Sequence, residues 1–454
     1  MWSVPAVVDA GPIPLPGGFV SAIRMTLWLK EILAQGIRRP GSPADRWTER
    51  WAVDRFMELG ITDVRLENVP LPYWNPLKAE LRLGTEILSG FPLPHAISGV
   101  IDGELSFERE GWADCIAVSE LELLRIPQDP FRALATAEYD PPNDFRTLEH
   151  TLPFGAHFQH VMEPAIAAGA VGFVGLLTGV PWETCEYYVP YDGMGRPIPG
   201  LWLSATDGRR VLERMRKRRD ARLIVEAERR MTICHNVIAT LPGRSKEWVI
   251  VASHHDAPWA SAVEDATGIV QVLAQAAHWA ARPVDERPHN LMFLLTAGHM
   301  AGAAGTRTFV EDHPDFLGQV VLQVHVEHLA ARPKMKKGKL VAGDDPEIRW
   351  WFTSRNPQLE KTVLRAITNH DLQRSLILRP DTFGSMPTTD GAYFHPAGVP
   401  LVHFLSAPMY LFDACDTLDK VHLPSLDPVS RAIAEIVEWT GTTSAAAMRA
   451  GVVK

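Results

Sequence analysis

Residues 248–281 read WVIVASHHDAPWASAVEDATGIVQVLAQAAHWAA, and this stretch decides the fold. The opening WVIVAS is a short apolar run with β-branched residues, which indicates a buried strand. A loop carrying His254, His255 and Asp256 follows, and TGIVQVLAQAAHWAA then has the length and the aliphatic content of a helix. A buried strand followed by a helix is the repeating unit of a parallel sheet.

The same alternation continues on both sides of this stretch. Predicted strands are HNVIATLPG, HNLMFLLTAG, VVLQVHVEHL and VPLVHFLSA, and predicted helices are GTRTFVEDH, LEKTVLRAITNH and DPVSRAIAEIVEWTGTT. We therefore expect an α/β fold in which a mostly parallel, mixed sheet is sandwiched by helices. In such folds the ligand site lies beyond the carboxyl ends of the strands.

Changes in composition divide the chain into three parts. Residues 1–94 are predicted to be the N-terminal part of a catalytic domain, with helices between 21 and 59 broken by a loop at Pro40, Gly41 and Pro43. Residues 95–225 switch to short β segments with their own apolar runs, which favours a compact, β-rich inserted domain. Residues 226–454 are predicted to form the main catalytic domain.

Charge and apolar content restrict the classes of function. The 454 residues are 46% hydrophobic and carry a formal net charge of −9, so nothing indicates binding to nucleic acid or to an anionic membrane. The sequence has no run of 18 apolar residues and no secretory signal at its N-terminus, which predicts a cytoplasmic protein. We expect a small-molecule substrate, and the composition leaves room for a homo-oligomer. The four dispersed cysteines are interpreted as buried thiols.

Several predicted strands end in residues that can bind a metal or titrate. These are His254, His255 and Asp256 after the first strand, Glu264 and Asp265 in the loop that follows, His299 after LLTAG, and His325, Glu327 and His328 at the end of VVLQVHVEHL. Imidazole and carboxylate groups that converge from neighbouring strand ends are ligands for a divalent metal ion. The sequence therefore predicts a metal site at this edge of the sheet.

The order of these motifs resembles the MH-clan zinc aminopeptidases related to bacterial leucyl aminopeptidases, in the subgroup with an inserted protease-associated domain. The resemblance covers most of the chain and rests on GIRRPGSPADRWTERW, AAGAVGFVG, IPGLWLSATDG, HNVIATLPG, VIVASHHD, VEDATGIVQVL, GHMAGAAGTRTF, TTDGAYFHPAGVPLVHF and CDTLDKV. It implies an aminopeptidase-like fold in which 95–225 is the protease-associated domain.

The resemblance also implies one metal site. His254 is similar to the family's first histidine ligand, and Asp256 to the aspartate that orients this histidine. The metal-bridging aspartate of the family falls at Glu264, and a later aspartate ligand falls at Glu327. One imidazole and two carboxylates therefore remain at this site.

The positions of the family's second metal site have changed. Two adjacent glutamates of the family, the general base and a metal ligand, are replaced by His299 and Met300, and the terminal histidine ligand falls at Phe412. A thioether and a phenyl ring cannot hold a hard divalent ion. Asp413 could replace Phe412 only through a shift in register.

His299 is interpreted as a ligand of the remaining metal or as a group that exchanges protons near neutral pH. The predicted site consists of His254, His299, Glu264 and Glu327 and binds one iron, manganese or zinc ion per chain. His255 is expected to face the outer wall of the site. Strand alternation places His325 on the face of Glu327 and His328 on the opposite face, and both can equally be core histidines. Candidates for substrate contact are Arg379, Asp390, Tyr393 and His395.

The leading hypothesis is a metal-dependent enzyme with one metal ion that hydrolyses or deaminates a small organic molecule rather than a peptide, with lyase chemistry as a variant. Two alternatives remain open. One is a metallo-aminopeptidase with shifted ligands, and the other is a non-catalytic protein that uses the old cleft for binding or assembly.

Overall fold

The structure is a computed structural model that describes residues 18–153 and 160–452. The predictions made for residues 1–17, including the missing secretory signal, lie outside the described residues. The helices are α1 (Ala22–Leu33), α2 (Pro43–Glu58), α3 (Gln128–Phe131), α4 (Glu163–Ala167), α5 (Ala205–Met215), α6 (Thr267–Ala280), α7 (Ala304–Asp312), α8 (Pro314–Leu317), α9 (Pro357–Asn369), α10 (Leu426–Trp439) and α11 (Ala445–Ala450).

Short strands and two long ones make up the sheets. The strands are β1 (Asp63–Leu83), β2 (Glu86–Ser89), β3 (Phe91–Pro92), β4 (Gly99–Ser106), β5 (Ile116–Glu120), β6 (Arg125–Pro127), β7 (Ala137–Tyr139), β8 (Glu149–Thr151), β9 (Gly172–Leu176), β10 (Gly200–Leu203), β11 (Asp220–Leu241), β12 (Trp248–His254), β13 (Asn290–Thr296), β14 (Val320–Val326), β15 (Ala331–Lys336), β16 (Lys339–Pro346), β17 (Arg349–Thr353), β18 (Ser375–Leu378) and β19 (Leu401–Ser406).

The main sheet runs in the order β11-β13-β12-β14-β19-β17-β18-β7. Its centre is parallel, because β12 pairs in parallel with β13 and with β14, and β14 pairs in parallel with β19. Antiparallel pairs flank this centre at β11 and at β17. Helix α6 is buried along almost its whole length against the sheet, as its aliphatic sequence requires. The predicted mixed α/β class is confirmed.

The N-terminal helices lie within the predicted span 21–59, but α2 already begins at Pro43, which the sequence assigned to the loop. The Ser42 hydroxyl accepts a hydrogen bond from the backbone N–H of Asp45 at 3.2 Å, and Pro43 occupies the first helical position of α2. A serine cap followed by proline is a common helix start. The loop at Pro40 and Gly41 therefore separates α1 from α2, as expected.

The run TDVRLENVPL at residues 62–71 predicts a short strand, but the strand in the structure is much longer. The stretch TDVRLENVPL is only the first half of β1, which pairs antiparallel with β11 from Asp63 opposite Thr240 to Arg82 opposite Arg222. Pro70, Pro72 and Pro76 all lie within this strand. Proline is tolerated in an edge strand whose outer side has no hydrogen-bonding partner.

The segment 95–225 contributes to two parts of the molecule. Strands β4, β5, β9 and β10 continue the sheet beyond β11 and enclose a separate apolar cluster that includes Leu105, Val118 and Leu201. Strand β7, in contrast, is the edge of the main sheet beside β18, and Phe131 and Phe145 share an apolar cluster with Trp350. The predicted boundaries at 94/95 and 225/226, and the protease-associated type of the insertion, stay predictions.

Two features bear on chemistry outside the site. The four cysteines are free; Cys234 is buried and Cys115, Cys185 and Cys415 are partly buried. Over residues 18–153 and 160–452, the helices are too short or too polar to cross a bilayer.

Candidate metal centre

The metal-capable residues meet at the carboxyl ends of three adjacent parallel strands. Strand β12 ends at His254, β13 leads into the turn 298–302, and β14 is followed directly by Glu327 and His328. Because β12 lies between β13 and β14 in parallel register, these three ends share one edge of the sheet.

His254 is fully buried, and its two ring nitrogens have different surroundings. Its Nδ1 lies 3.0 Å from the carbonyl oxygen of Asp256, to which it donates, so Nε2 is the nitrogen that could bind a metal ion after losing its proton. This Nε2 faces Glu264 Oε1 at 3.2 Å. Burial opposes the charged imidazolium, but the carboxylates of Glu264, Asp265 and Asp256 outweigh it and raise the pKa of His254 well above its ordinary value.

Asp256 orients His254 through its backbone rather than through its carboxylate. Its carboxylate lies 3.9 Å from His254 Nδ1, beyond hydrogen-bonding distance, and its backbone carbonyl orients the ring instead. The two carboxylate oxygens accept the backbone N–H groups of His299 and Met300 at 2.9 Å and 2.8 Å. Asp256 therefore holds the turn that carries His299.

Glu264 lies in a buried loop that is held from two sides. The guanidinium of Arg38 donates to the carbonyls of Ala260 and Ser261, the latter at 2.9 Å. On the other side, the carboxylate of Asp416 accepts the backbone N–H of Glu264 at 2.9 Å. Burial raises the pKa of Glu264, but the positive charges of His328 and His254 lower it by more, so the pKa lies well below its ordinary value.

His299 lies beside His254, with ring centroids 4.2 Å apart. Its Nδ1 is 3.2 Å from Asp390 Oδ1, while its Nε2 is 3.6 Å from Glu264 Oε1. Asp390 is itself fixed by the hydroxyls of Thr296 and Thr306, which donate to its Oδ2 at 2.5 Å and 2.6 Å. A carboxylate on one nitrogen of a histidine, with the other nitrogen directed at the site, is the usual support for a metal-bound imidazole.

His328 belongs to the site, although alternation along β14 placed it on the opposite face. The strand ends at Val326, and the backbone of His328 is left-handed, with φ of 54°, so the side chain turns back. Its Nε2 lies 2.6 Å from Glu264 Oε2, and its Nδ1 lies 2.9 Å from the carbonyl of Ser406. Burial lowers the pKa of His328, but Glu264 and Glu327 outweigh this effect and raise it to about 9.

Glu327 is turned away from the closest group of metal-capable atoms. Its Oε1 accepts the backbone N–H of Asp390 at 2.8 Å and lies 2.8 Å from His325 Nε2, while its Oε2 is 3.8 Å from His328 Nε2. His325 shares the face of Glu327, as alternation predicts. Burial raises the pKa of Glu327, but the neighbouring histidines, His325 first, lower it to about 2.

Buried atoms without a hydrogen-bonding partner test whether the site fits a metal ion. His254 Nε2, His328 Nε2 and both carboxylate oxygens of Glu264 have no partner with acceptable geometry, even where the distance is short. Such atoms are costly to bury unless something satisfies them. One donor atom each from His254, Glu264 and His299 lie within 4.8 Å of one another. Two imidazoles and one carboxylate are a known catalytic zinc set, so the residues fit such an ion.

A second acidic cluster among the described residues does not have this character. Asp45, Glu49 and Cys234 also lie within 4.8 Å of one another. Here the carboxylates are already occupied, since Asp45 Oδ1 is 2.7 Å from His255 Nδ1 and Glu49 Oε2 is 2.9 Å from His235 Nδ1. His255 therefore faces away from the metal-capable group, in agreement with the expectation that it lies at the outer wall.

The positions at which the resemblance puts ligands of a second metal ion are apolar. Met300 and Phe412 are buried, and the ring of Phe412 packs on Tyr191 at 4.7 Å between centroids. Tyr191 in turn lies 5.3 Å from the ring of His299. Asp413 does not replace Phe412, because its Oδ1 accepts the backbone N–H of Cys415 at 2.9 Å and its backbone forms a bridge with Tyr187.

The candidates for substrate contact do not act as one group. Asp390 is fully buried and supports His299, so it is not a surface for substrate. Tyr393 lies under the guanidinium of Arg307, Arg379 is exposed, and His395 is partly buried. Within the described chain, the contacts of these last three residues lie outside the metal-capable group.

Sequence reasoning named His328 but placed it on the wrong face, and it missed Arg38, Asp416 and Tyr191. The left-handed turn after β14 leaves no trace in the spacing of His328. Arg38 and Asp416 act on the Glu264 loop from distant parts of the chain. Tyr191 reaches the site from the segment 95–225. In the sequence, the only signal for Arg38 is the arginine pair in the loop GIRRPG at residues 36–41.

The mixed α/β sheet, with buried histidines and a buried carboxylate at its strand ends, agrees with the aminopeptidase-like fold that the sequence predicts. The sequence model of peptidase family M28 matches residues 236–437. This match to residues 236–437 agrees with the resemblance to MH-clan aminopeptidases. In a search of curated proteins, no sequence matches the chain.

Solved structures agree in fold. An aminopeptidase from Aneurinibacillus sp. strain AM-1 has a TM-score of 0.66 at 17% identity and covers 93% of this chain and 94% of its own. A zinc aminopeptidase from Bacillus subtilis has a TM-score of 0.66 at 13% identity, covering 94% and 96%. A peptidase M28 precursor from Shewanella amazonensis SB2B has a TM-score of 0.65 at 18% identity, covering 96% and 94%.

Proposed function

We propose that the chain binds a single divalent ion through His254, His299 and Glu264, and that it hydrolyses an amide-like bond, or removes an amino group, in a small organic molecule. The observation that supports this most directly is the set of buried donor atoms without partners, His254 Nε2 and the two oxygens of Glu264. Zinc suits this donor set, and the Bacillus subtilis structure of the same fold is described as a zinc aminopeptidase. When bound, such an ion polarises a carbonyl group and activates water.

His299 is proposed as a ligand rather than as the general base. Asp390 accepts the proton on Nδ1, so the lone pair on Nε2 points towards Glu264 and the site. The alternative, in which His299 carries protons, predicts that a variant keeps its metal and loses activity.

Two other side chains are placed to handle protons. His328 keeps a proton beside Glu264 because its pKa is raised to about 9, so it can deliver that proton to a leaving amine. Burial and the negative charge of Glu264 raise the pKa of Tyr191, which therefore stays protonated and can donate a hydrogen bond to a substrate oxygen.

The preference for a small molecule over a peptide rests on the second metal position. In the family that the sequence resembles, peptide hydrolysis uses two metal ions, whereas Met300 and Phe412 offer no hard ligand here. Tyr191 and Phe412 also pack over the position beside His299. The cytoplasmic location and the homo-oligomer stay predictions from the sequence.

Elemental analysis of protein purified without added metal tests the proposal. We expect about one equivalent of a divalent ion per chain, strongly reduced in His254→Ala, His299→Ala and Glu264→Gln. His313→Ala is the matched control, because His313 also pairs with a carboxylate, Glu67 at 3.0 Å, outside the site. A chromogenic leucine anilide should not be cleaved, while release of ammonia or amine from a panel of small amides should be detected.

The remaining outcomes identify the alternatives. Two equivalents of metal together with cleavage of the anilide would indicate a conventional aminopeptidase with shifted ligands. No bound metal after addition of zinc would indicate a non-catalytic protein. Full metal content with lost activity in His299→Ala would assign the histidine to proton transfer.

A further inference from the structure

A buried arginine whose side chain has no hydrogen bond to the described residues lies at the junction between the N-terminal segment, β1, β3 and the loop before α6. Arg39 is 4% exposed, and its Nε and Nη2 atoms are buried without a hydrogen-bonding partner. A buried cation normally has a carboxylate or several carbonyl oxygens around it. Arg38, the preceding residue, shows this usual pattern with its carbonyl partners.

Aromatic rings surround Arg39 instead. Its guanidinium carbon lies 4.6 Å from the ring centroid of Trp259, 5.6 Å from those of Phe91 and Tyr188, and 5.8 Å from that of Trp74. Cation–π contacts offset part of the desolvation of a guanidinium. They supply no hydrogen-bond acceptor, and burial lowers the pKa of Arg39 to about 10.

This arginine lines a cavity of about 460 Å³, which also has Phe91, Trp259, Lys78 and Glu186 on its walls. The volume falls in the range of small-molecule pockets, about 300–1,000 Å³. Nε and Nη2 of Arg39 are buried without a hydrogen-bonding partner, and Arg39 is one of the residues on the cavity wall. The cavity therefore offers one buried positive charge beside two flat apolar walls.

The acidic neighbours leave this charge uncompensated. Glu80 pairs with Lys78 at 3.1 Å and with Arg82 at 2.8 Å, so its charge is already taken. Glu186 is exposed and acts on Arg39 through its charge, without a hydrogen bond to it. A planar anion in the cavity would provide the missing acceptor, since guanidinium groups match carboxylates in geometry and charge.

We propose that this cavity binds a small molecule in which a carboxylate is attached to an aromatic or apolar body. The carboxylate pairs with Arg39, and the body packs against Phe91 and Trp259, whose ring centroids lie 5.0 Å apart. The site is distinct from the metal centre and does not depend on the proposed hydrolysis. It adjoins that centre, however, because Trp259 Nε1 and the backbone N–H of Tyr188 both donate to the carbonyl of Phe412, at 3.0 Å and 2.8 Å.

Calorimetric titration of the full chain with phenylacetate and with its neutral analogue phenylacetamide tests the proposal. Phenylacetate should bind with a Kd of about 1 mM or tighter, and phenylacetamide should bind at least about tenfold more weakly, because the two differ in the charge that Arg39 recognises. Acetate and inorganic phosphate are the other probes. Acetate should bind more weakly than phenylacetate, since it lacks the ring.

Variants separate the ligand site from a purely structural cation. Arg39→Lys should weaken phenylacetate by about tenfold or more, because an ammonium group cannot reproduce the planar pairing. Glu186→Gln should tighten it by about two- to fivefold, because a like charge near the carboxylate is removed. The Glu186 variant tests the proposal even if Arg39→Lys fails to fold. Glu183→Gln, on the same exposed stretch but outside the cavity, is the matched control.

Three results would overturn the proposal. The first is no binding of phenylacetate at about 10 mM, which leaves the aromatic rings as the whole surroundings of Arg39. The second is equal binding of phenylacetate and phenylacetamide. The third is tighter binding of inorganic phosphate than of any carboxylate probe. Titration can be repeated on protein stripped of metal, so failure of the proposed hydrolysis does not affect the outcome.

Discussion

The turn that carries His299 is in direct backbone contact with the segment 95–225. Replacing Gly302 in this turn by alanine adds one methyl group at the contact and so tests it. Gly302 has φ of +75°, and a Cβ atom built on it would lie 2.5 Å from the carbonyl oxygen of Asp192. Gly193 shows the reciprocal contact, since its Cβ atom would lie 2.7 Å from the carbonyl oxygen of Ala301. Gly302→Ala is therefore expected to push the two backbones apart.

Gly338 is a matched control that separates the two costs of this substitution. It also has φ of +75°, but an added Cβ atom would meet nothing within 4 Å. A left-handed backbone costs alanine about 1–2 kcal/mol at either position. Only Gly302→Ala adds a backbone clash, and overpacking of this kind costs about 1–3 kcal/mol. We expect Gly302→Ala to lower the free energy of unfolding by about 2–5 kcal/mol and Gly338→Ala by about 1–2 kcal/mol.

Urea unfolding followed by circular dichroism measures both variants, and elemental analysis gives a second readout. Movement of the turn displaces His299, so Gly302→Ala should also retain less metal than Gly338→Ala. Equal loss of stability in the two variants, with unchanged metal content, would show that the 191–193 loop does not rest on the turn. In that case the proposed contribution of Tyr191 to the site would also fail.

Two further predictions concern buried polar groups. Burial lowers the pKa of His95 from 6.5 to about 4, so between these pH values the unfolded chain binds the proton and the folded chain does not. Between pH 7 and pH 4 the free energy of unfolding, measured with urea, should therefore fall by about 3 kcal/mol more in the wild type than in His95→Asn. Parallel pH profiles of the two proteins would contradict the shift. Asp390→Asn should weaken metal binding by about 10–100-fold in competition with a chelator, because His299 loses its carboxylate, whereas Asp381→Asn in the partly exposed pair with Arg355 should not. Unchanged affinity would exclude His299 as a ligand.

Local patterns were sufficient to predict the fold and half of the site. Apolar runs and helical segments gave the alternation of β12, α6 and β13, and parallel strands necessarily bring their carboxyl ends together. This is why His254 and His299 meet in the structure. Glu264 was predicted through the resemblance, and the structure places its Oε1 atom 3.2 Å from His254.

The remaining roles depend on backbone directions and partners that spacing does not encode. Alternation applies only while the chain is extended, and it stops at Val326, so it assigned His328 to the wrong side. The proline-containing half of β1 was missed because a free strand edge cannot be recognised without its partner. Asp390 was expected to contact substrate, yet Thr296 and Thr306 bind one of its oxygens within the core.

The single-ion site that we propose leaves Glu264 buried without the second ion that the resemblance implies. Its Oε1 faces His254 and His299, which form the proposed metal set, while Oε2 faces His328 at 2.6 Å. In the resembled family a second ion balances this carboxylate. Here the raised pKa of His328, about 9, keeps an imidazolium at that place. Met300 and Phe412 cannot bind a second metal ion, and the protonated side chain of His328 can supply the positive charge beside Glu264 instead.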